Sequence, residues 1–446
     1  MTAIQRKRAS ARSGRPDEPA DARKFLKNFF LHFRPVTVPE RVLRFSATLA
    51  LGVASTTLLF LLVATGLLLK FVYEPSASTA YESIRYLVSD VPYGQLLRNL
   101  HRWSGYALLV TGFLHLLRVF YTGAFRGPRQ FNWIVGLGLL SVIVLSNFTG
   151  YLLPWDQVSY WAITISTSML DYVPLIGPNL KDAVLGGPEP GPATLMNFYA
   201  VHTAIIPIVL LFLLPFHFWR IRKANGIVVP RAPNEELPTQ MPMVRTVPHL
   251  VTREAAMAIF VIAAILSVSM VLDAPLAEQA NPGLSPNPTK APWYFMGIQE
   301  ILLHFHPLFA SFVIPALLAI ALICLPWLRY DADTSGVWFA SLRGRRTALA
   351  AAAVSVIATV SAVLLNELVF KADSAASPGM LRNGLLPLGF VLAFCGIFHV
   401  FLRKRVGANR NEAVQAQFTL LVVSLLTLTV IGVWFRGPGM QLAWIG

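Results

Sequence analysis

Apolar residues in this chain gather into nine long runs separated by short polar breaks. With about twenty residues needed to cross a bilayer as a helix, the runs predict helices near 46–72, 96–121, 131–153, 196–221, 252–272, 308–328, 347–366, 384–402 and 415–435. Two further stretches are too mixed to cross. Residues 150–177 (GYLLPWDQVSYWAITISTSMLDYVPLIG) are amphipathic and aromatic, and residues 281–307 (NPGLSPNPTKAPWYFMGIQEILLHFHP) are aromatic and stiffened by proline. Both read as short segments capping one end of the bundle, where together they would roof a cavity. Residues 224–250 are proline-rich, polar and aperiodic, which divides the chain after the fourth run. Residues 1–24 hold no apolar stretch, so no cleavable signal peptide is expected, and they read as a disordered basic tail. The following 22–34 (ARKFLKNFFLHFR) alternates basic and aromatic residues like a helix lying in the membrane interface. No internal repeat is apparent.

Composition agrees with that pattern. At 446 residues, 55% hydrophobic and 13% charged, the chain is too apolar for a soluble protein of its size. The expected class is an all-α polytopic transmembrane bundle of about nine spans. If the N-terminus lies in the cytoplasm, 28 of the 37 Lys and Arg fall on the cytoplasmic side. The two faces then carry +18 and −3, in keeping with the stated +15 and with the positive-inside rule. The basic residues are spread over membrane loops rather than one domain, so they do not indicate nucleic acid. The two cysteines, Cys324 and Cys395, lie in predicted spans. They make no CxxCH attachment site or thiolate cluster and are expected to be small buried apolar residues.

Four histidines supply the candidate chemistry. His101 and His115 are fourteen residues apart in the second run, and His202 and His217 are fifteen apart in the fourth. Fourteen residues rise about 21 Å along a helix and, at 3.5 residues per turn, return to the same face. Two such helices side by side present two facing pairs, one near each membrane surface. Imidazole is costly in hydrocarbon unless hydrogen-bonded or ligating, and two stacked bis-histidine haems would satisfy all four. Gly52 and Gly66, and again Gly136 and Gly150, are fourteen apart in neighbouring runs. Small residues ordinarily permit close helix packing, but at the ligand period they also leave room for a flat macrocycle. Arg98 and Arg118, each three residues from a histidine, are positioned for haem propionates or for ordinary snorkelling. His249, His304, His306 and His399 lack a partner at that spacing and read as surface or packing residues.

At this point the chain resembles a known family, cytochrome b of the bc1 and b6f complexes, over roughly residues 36–330. The likeness is carried by LLRNLHRWSGY…HLLR, GYLLPWDQVSYW, HTAIIP…PFHFWRIRKANG and PWYF. The resemblance implies a diheme four-helix domain at 36–223, a linker at 224–250 and a subunit IV-like domain at 251–366, fused in one chain. Residues 367–446 are additional helices, ending in WFRGPG, with no assigned role. It further implies that His101 and His202 hold an outer haem, and His115 and His217 an inner one. Tyr151, Val158, Ala162, Trp293 and Tyr294 match positions lining a quinol-oxidation pocket. Arg222 and Lys223 match basic residues near an inner quinone site, although near the membrane surface they serve equally as anchoring charges. Pro207 and Pro215 are expected to absorb the extra residue of the second pair by kinking.

Two departures stand out. Ala50 occupies the position of a cysteine that anchors an additional haem in b6f-type proteins, so both haems are expected to be non-covalent. The outer motif usually reads Pro-Glu-Trp-Tyr, and here the glutamate position is Pro292, which cannot accept a proton. Tyr294, ordered water and Glu300 are the substitutes on this segment. Glu300 lies two helical turns beyond Trp293, and its alternative is a solvated cap residue.

The implied function is the diheme cytochrome b subunit of a proton-motive quinol:cytochrome c oxidoreductase in a bacterial cytoplasmic membrane. Expected partners are a Rieske iron–sulfur protein, a c-type cytochrome, a quinone and a second copy of the complex. Likeness to fused bacterial forms points to menaquinone. The alternative is a diheme b anchor of a quinone-linked dehydrogenase or reductase, which leaves the two aromatic caps and the second half unexplained.

Overall fold

The computed structural model describes residues 35–370 and 379–443. The basic tail and the interfacial helix expected at 22–34 lie outside the described residues. Among those described, nine helices are long and apolar enough to span a membrane. They are α1 (Leu51–Leu69), α3 (Gly94–Tyr121), α4 (Gln130–Leu152), α7 (Pro192–Lys223), α8 (Thr246–Val271), α10 (Phe309–Trp327), α11 (Leu342–Val369), α12 (Leu381–Lys404) and α13 (Arg410–Trp434). Shorter helices α2 (Ala80–Ser89), α5 (Gln157–Ser168), α6 (Gly177–Leu185) and α9 (Met296–His304) all lie in segments at one end of the bundle. The protein is thus an all-α, multi-pass membrane bundle.

The spans form where the sequence leaves few polar groups to satisfy. In α1 the hydroxyls of Thr56, Thr57 and Thr65 donate to the carbonyls of Gly52, Val53 and Leu61 four residues back, so they add no unpaired group to an apolar helix. Proline shapes several spans. Five-residue π-helical turns at Val201–Ile205, Phe309–Val313 and Leu381–Leu385 each precede Pro207, Pro315 or Pro387 by two residues. Proline has no N–H for the carbonyl four residues back, and a wider turn accommodates the mismatch.

Packing occurs in layers along the bundle. A central cluster joins Leu58, Leu108, Leu109, Ile143 and Ile265 of α1, α3, α4 and α8. At the end carrying α5 and α9, Leu152, Trp155, Tyr160, Ile163, Leu195 and Phe198 form an aromatic-rich cap. At the opposite end the Phe120 ring lies 3.9 Å from that of Phe418, fastening the last span to the first half of the chain. Residues 224–250 are not a free linker. Strand β1 (Thr37–Pro39) pairs antiparallel with β2 (Met243–Arg245), Val38 opposite Val244, a pairing too short to register as a pattern in sequence. Cys324 is exposed on α10 rather than buried, and Cys395 is half-buried.

Candidate functional site

One unbroken helix, α3, carries His101 and His115; α7 carries His202 and His217. The rings of His101 and His202 face each other with centroids 6.2 Å apart, about the separation of two imidazoles on one metal with bonds of roughly 2 Å. His202 sits within the π turn 201–205. That turn holds the additional residue of the fifteen-residue spacing, so a π bulge before Pro207 does what was expected of a simple proline kink.

Each period-spaced glycine stands against one histidine. A Cβ at Gly66 would lie 3.2 Å from Cε1 of His101, and one at Gly150 only 2.6 Å from Cε1 of His202. At Gly52 and Gly136 the distances to His115 and His217 are 3.6 Å each. The four glycines therefore keep the space beside all four imidazoles open. The pairs differ in what holds their Nδ1 atoms. Thr65 Oγ1 lies 2.9 Å from His101 Nδ1, and His202 Nδ1 is 3.1 Å from the Ser146 carbonyl and 3.3 Å from Thr149 Oγ1. Nδ1 of His115 and of His217 is buried without a partner. Half-buried histidines beside glycine-lined gaps fit an axially ligated macrocycle at both levels.

Beside His115 and His217 opens a cavity of about 1010 Å³, lined also by Gly52, Gly136, Ala50, Arg118, Arg129 and Arg222. Arg118 is buried and donates to the Ala47 carbonyl, while its Nε has no partner. Of the two basic residues expected here, Arg222 lines the cavity, whereas Lys223 Nζ lies over the Trp219 ring. At the other level Arg98 is buried and donates to the carbonyls of Ala274 (2.6 Å) and Pro275 (2.7 Å).

The two capping segments meet as expected. The Asn281 amide donates to Gln157 Oε1 at 2.7 Å and the Gln157 side chain to the Leu284 carbonyl, and just outside those bounds Asp156 bridges to Gln279 and Phe148 packs edge-on to Phe295. Tyr106 sits between them, its ring 5.9 Å from Trp293 and 6.2 Å from Tyr294. The Arg102 guanidinium lies over the rings of both Tyr106 and Tyr151 and donates to the Tyr106 hydroxyl at 2.8 Å. Ala162 is buried and Val158 exposed on α5. The Tyr294 hydroxyl is buried without a partner, and burial, reinforced by Tyr106 and Tyr151, pushes its pKa well above the usual phenol value. Tyr294 is therefore a neutral donor and acceptor, not a base. Arg102 and Tyr106 escaped the sequence reading, although their four-residue spacing beside a candidate ligand histidine was a usable signal.

Glu300 departs from both readings of it. It is neither solvated nor aimed into the aromatic cluster, but fully buried in an ion pair with Arg436. The Arg436 Nε lies 3.1 and 3.0 Å from the two carboxylate oxygens, and His304 Nε2 lies 3.2 Å from Oε1. Burial alone would raise its pKa; the hydrogen bonds from His304 and Arg436 outweigh it and hold the carboxyl below its usual range. A carboxylate so held is a poor proton acceptor. His304 is thus a network residue, held between Glu300 on its own helix and Asn366, 62 residues further along the chain, which nothing in the sequence signalled.

Comparison with known proteins places this architecture. Residues 37–225 match the family model described as Cytochrome b/b6/petB. Cytochrome b6 of Tupiella akineta is 41% identical over 180 residues, covering 40% of this chain and 83% of that protein. Cytochrome b6 of Emiliania huxleyi is 42% identical over 180 residues with the same coverage. Beyond the matched segment, the fold extends over a solved chain of a hyperthermophilic respiratory Complex III, with a TM-score of 0.65 at 22% identity, covering 93% of this chain and 98% of that one. The matched segment contains both histidine-bearing helices and all four facing glycines, and on that likeness the chain is a member of the cytochrome b/b6 family, whose members carry non-covalent b-type haems.

Proposed function

We propose that this chain is the diheme cytochrome b subunit of a proton-motive quinol:cytochrome c oxidoreductase. The observation that carries the reading is the matched set of four histidines and four glycines, which provides two ligand levels about 21 Å apart within the spans. His101 and His202 hold the haem toward the outer face, His115 and His217 the one toward the cytoplasm. When bound, the haems supply one-electron transfer across the membrane. The orientation rests on the distribution of basic residues, with the N-terminus in the cytoplasm. In this reading residues 36–223 are the diheme domain and 251–366 a fused subunit IV-like domain.

At the outer level Tyr151, Val158, Ala162, Trp293 and Tyr294 border the quinol pocket. Pro292 offers no proton acceptor and Glu300 is engaged by Arg436, so no free carboxylate of the 291–304 segment serves as base. Tyr294 orients a quinol hydroxyl by hydrogen bonding, and the nearby Arg102 cation favours the ionised form of a bound quinol. At the inner level Arg222 offers positive charge beside the cavity next to His115 and His217, suited to a quinone oxygen. Its partners in this reading are a Rieske-type iron–sulfur protein and a c-type cytochrome, in a dimeric complex of a bacterial cytoplasmic membrane, with menaquinol as the donor.

Affinity purification from mild detergent tests the proposal. Two b haems per chain, together with a co-purifying Rieske-type protein and a c-type cytochrome, are expected. Recovery instead with a dehydrogenase subunit and no iron–sulfur partner of that type would overturn it.

A further inference from the structure

The last two spans and the ending WFRGPG are not accounted for by haem or quinone binding, yet the end of the last span hydrogen-bonds to Glu300, Glu367, Lys290 and Asn287. Helix α13 runs beside α9, and the two touch through glycine. A Cβ at Gly297 would fall 2.7 Å from Thr429 Oγ1 and 3.0 Å from the Leu425 carbonyl, and one at Gly432 2.9 Å from Met296 Cε. A larger residue at Gly297 would press on the α13 backbone at Leu425, and one at Gly432 would have to displace the end of the Met296 side chain.

Past the end of α13, Arg436 turns back into the protein and is buried. One edge of its guanidinium grips both carboxylate oxygens of Glu300 on α9. Its Nη1 donates to Glu367 on α11 at 2.7 Å and to the Met440 carbonyl at 3.0 Å. His304 closes the ring: Asn366 Nδ2 lies 2.7 Å from His304 Nδ1, which leaves Nε2 to donate to Glu300. Two more bonds clamp the segment before α9, from Lys290 Nζ to the Val433 carbonyl (2.9 Å) and from the Gly439 amide to Asn287 Oδ1 (2.6 Å). Contacts from 433–439 thus grip the stretch 287–300 on both sides of Trp293 and Tyr294. Those two residues form the 3-10 turn that continues directly into α9, so whatever fixes α9 fixes their rings.

We propose that Arg436, delivered by the last span, is a positioning residue for the outer quinol pocket, locking α9 through Glu300 and thereby setting Trp293 and Tyr294. The role rests on the assignment of that pocket made above. Arg436 is fully enclosed and does not meet the substrate. Its effect passes through a rigid helix, and displacement of pocket groups by as little as an ångström is enough to cost about a hundredfold in rate. A planar fork that serves two carboxylates at once is a task for arginine and not for lysine.

The test compares Arg436→Gln, Arg436→Lys and the parent in the assembled complex. Amide hydrogen exchange is read for 293–305, alongside KM and kcat for quinol and the two haem potentials. In Arg436→Gln, exchange in 293–305 is expected to quicken at least tenfold and kcat/KM to fall about tenfold or more, chiefly through KM, with both potentials unchanged. Arg436→Lys should recover part of each loss. Should Arg436→Gln fail to assemble, Arg436→Lys carries the test, since it keeps the charge but not the fork to two carboxylates, and should shift both readouts in the same direction by a smaller factor. Parental exchange in 293–305 in both variants would overturn the brace. Faster exchange there with an unchanged KM would show that α9 is braced but that Trp293 and Tyr294 do not form the quinol pocket.

Discussion

The hydroxyl of Thr65 meets Nδ1 of His101 at 2.9 Å, whereas Nδ1 of His115, one haem level away on the same helix, has no partner. A threonine that already bonds its own helix at the Leu61 carbonyl accepts the imidazole N–H, which leaves Nε2 free to ligate. Partners of this kind set ring orientation and ligand basicity. The two levels are therefore held unequally. Thr65→Val should shift the potential of the outer haem and weaken its retention while leaving the inner haem as it is, measured by redox titration of the two b bands. Equal shifts at both haems would refute the assignment.

Loss of an axial ligand leaves a macrocycle unanchored. His101→Ala or His202→Ala should remove the outer haem, and His115→Ala or His217→Ala the inner one. Redox titration of each variant should show one b-type wave in place of two. A variant that keeps both waves excludes its histidine from ligation.

Haem should leave the polypeptide entirely on acid–acetone extraction. Ala50 borders the cavity beside His115 and His217 and has no thiol, while Cys324 lies on the exposed side of α10. Haem staining that persists on this subunit after denaturing electrophoresis would contradict the expectation.

Glu300→Gln should destabilise the protein as well as loosen α9. Breaking a buried ion pair costs about 3–5 kcal/mol, and the lower end applies because Glu367 still accepts from Arg436. The carboxyl is held below its usual pKa despite burial, by His304 and Arg436. Its contribution is thus fully present above the unfolded value of about 4.3 and is lost as pH falls through the lower folded value. Thermal loss of the haem bands, followed across pH, should show the parent more stable than the variant near neutrality, with the gap closing in acid. A gap that is constant with pH would mean the carboxylate is not held as an ion there.

Hydrophobic runs alone determined the span count and the all-α class, because a segment without water must satisfy its backbone within itself. The candidate ligands were equally legible. A fourteen-residue period is a local property of one helix, so His101 with His115, and Gly52 with Gly66, could be recognised before any contact was known. The compensation for the fifteenth residue was not. Either a π turn or a kink can accompany a proline such as Pro207, and the structure carries the turn at Val201–Ile205. Glu300 and Arg436 mark the clearest limit. Local periodicity put Glu300 on a face with Trp293, yet a guanidinium 136 residues further along the chain closes over it. Which buried charges meet is decided by desolvation, which is counted only when distant helices come together.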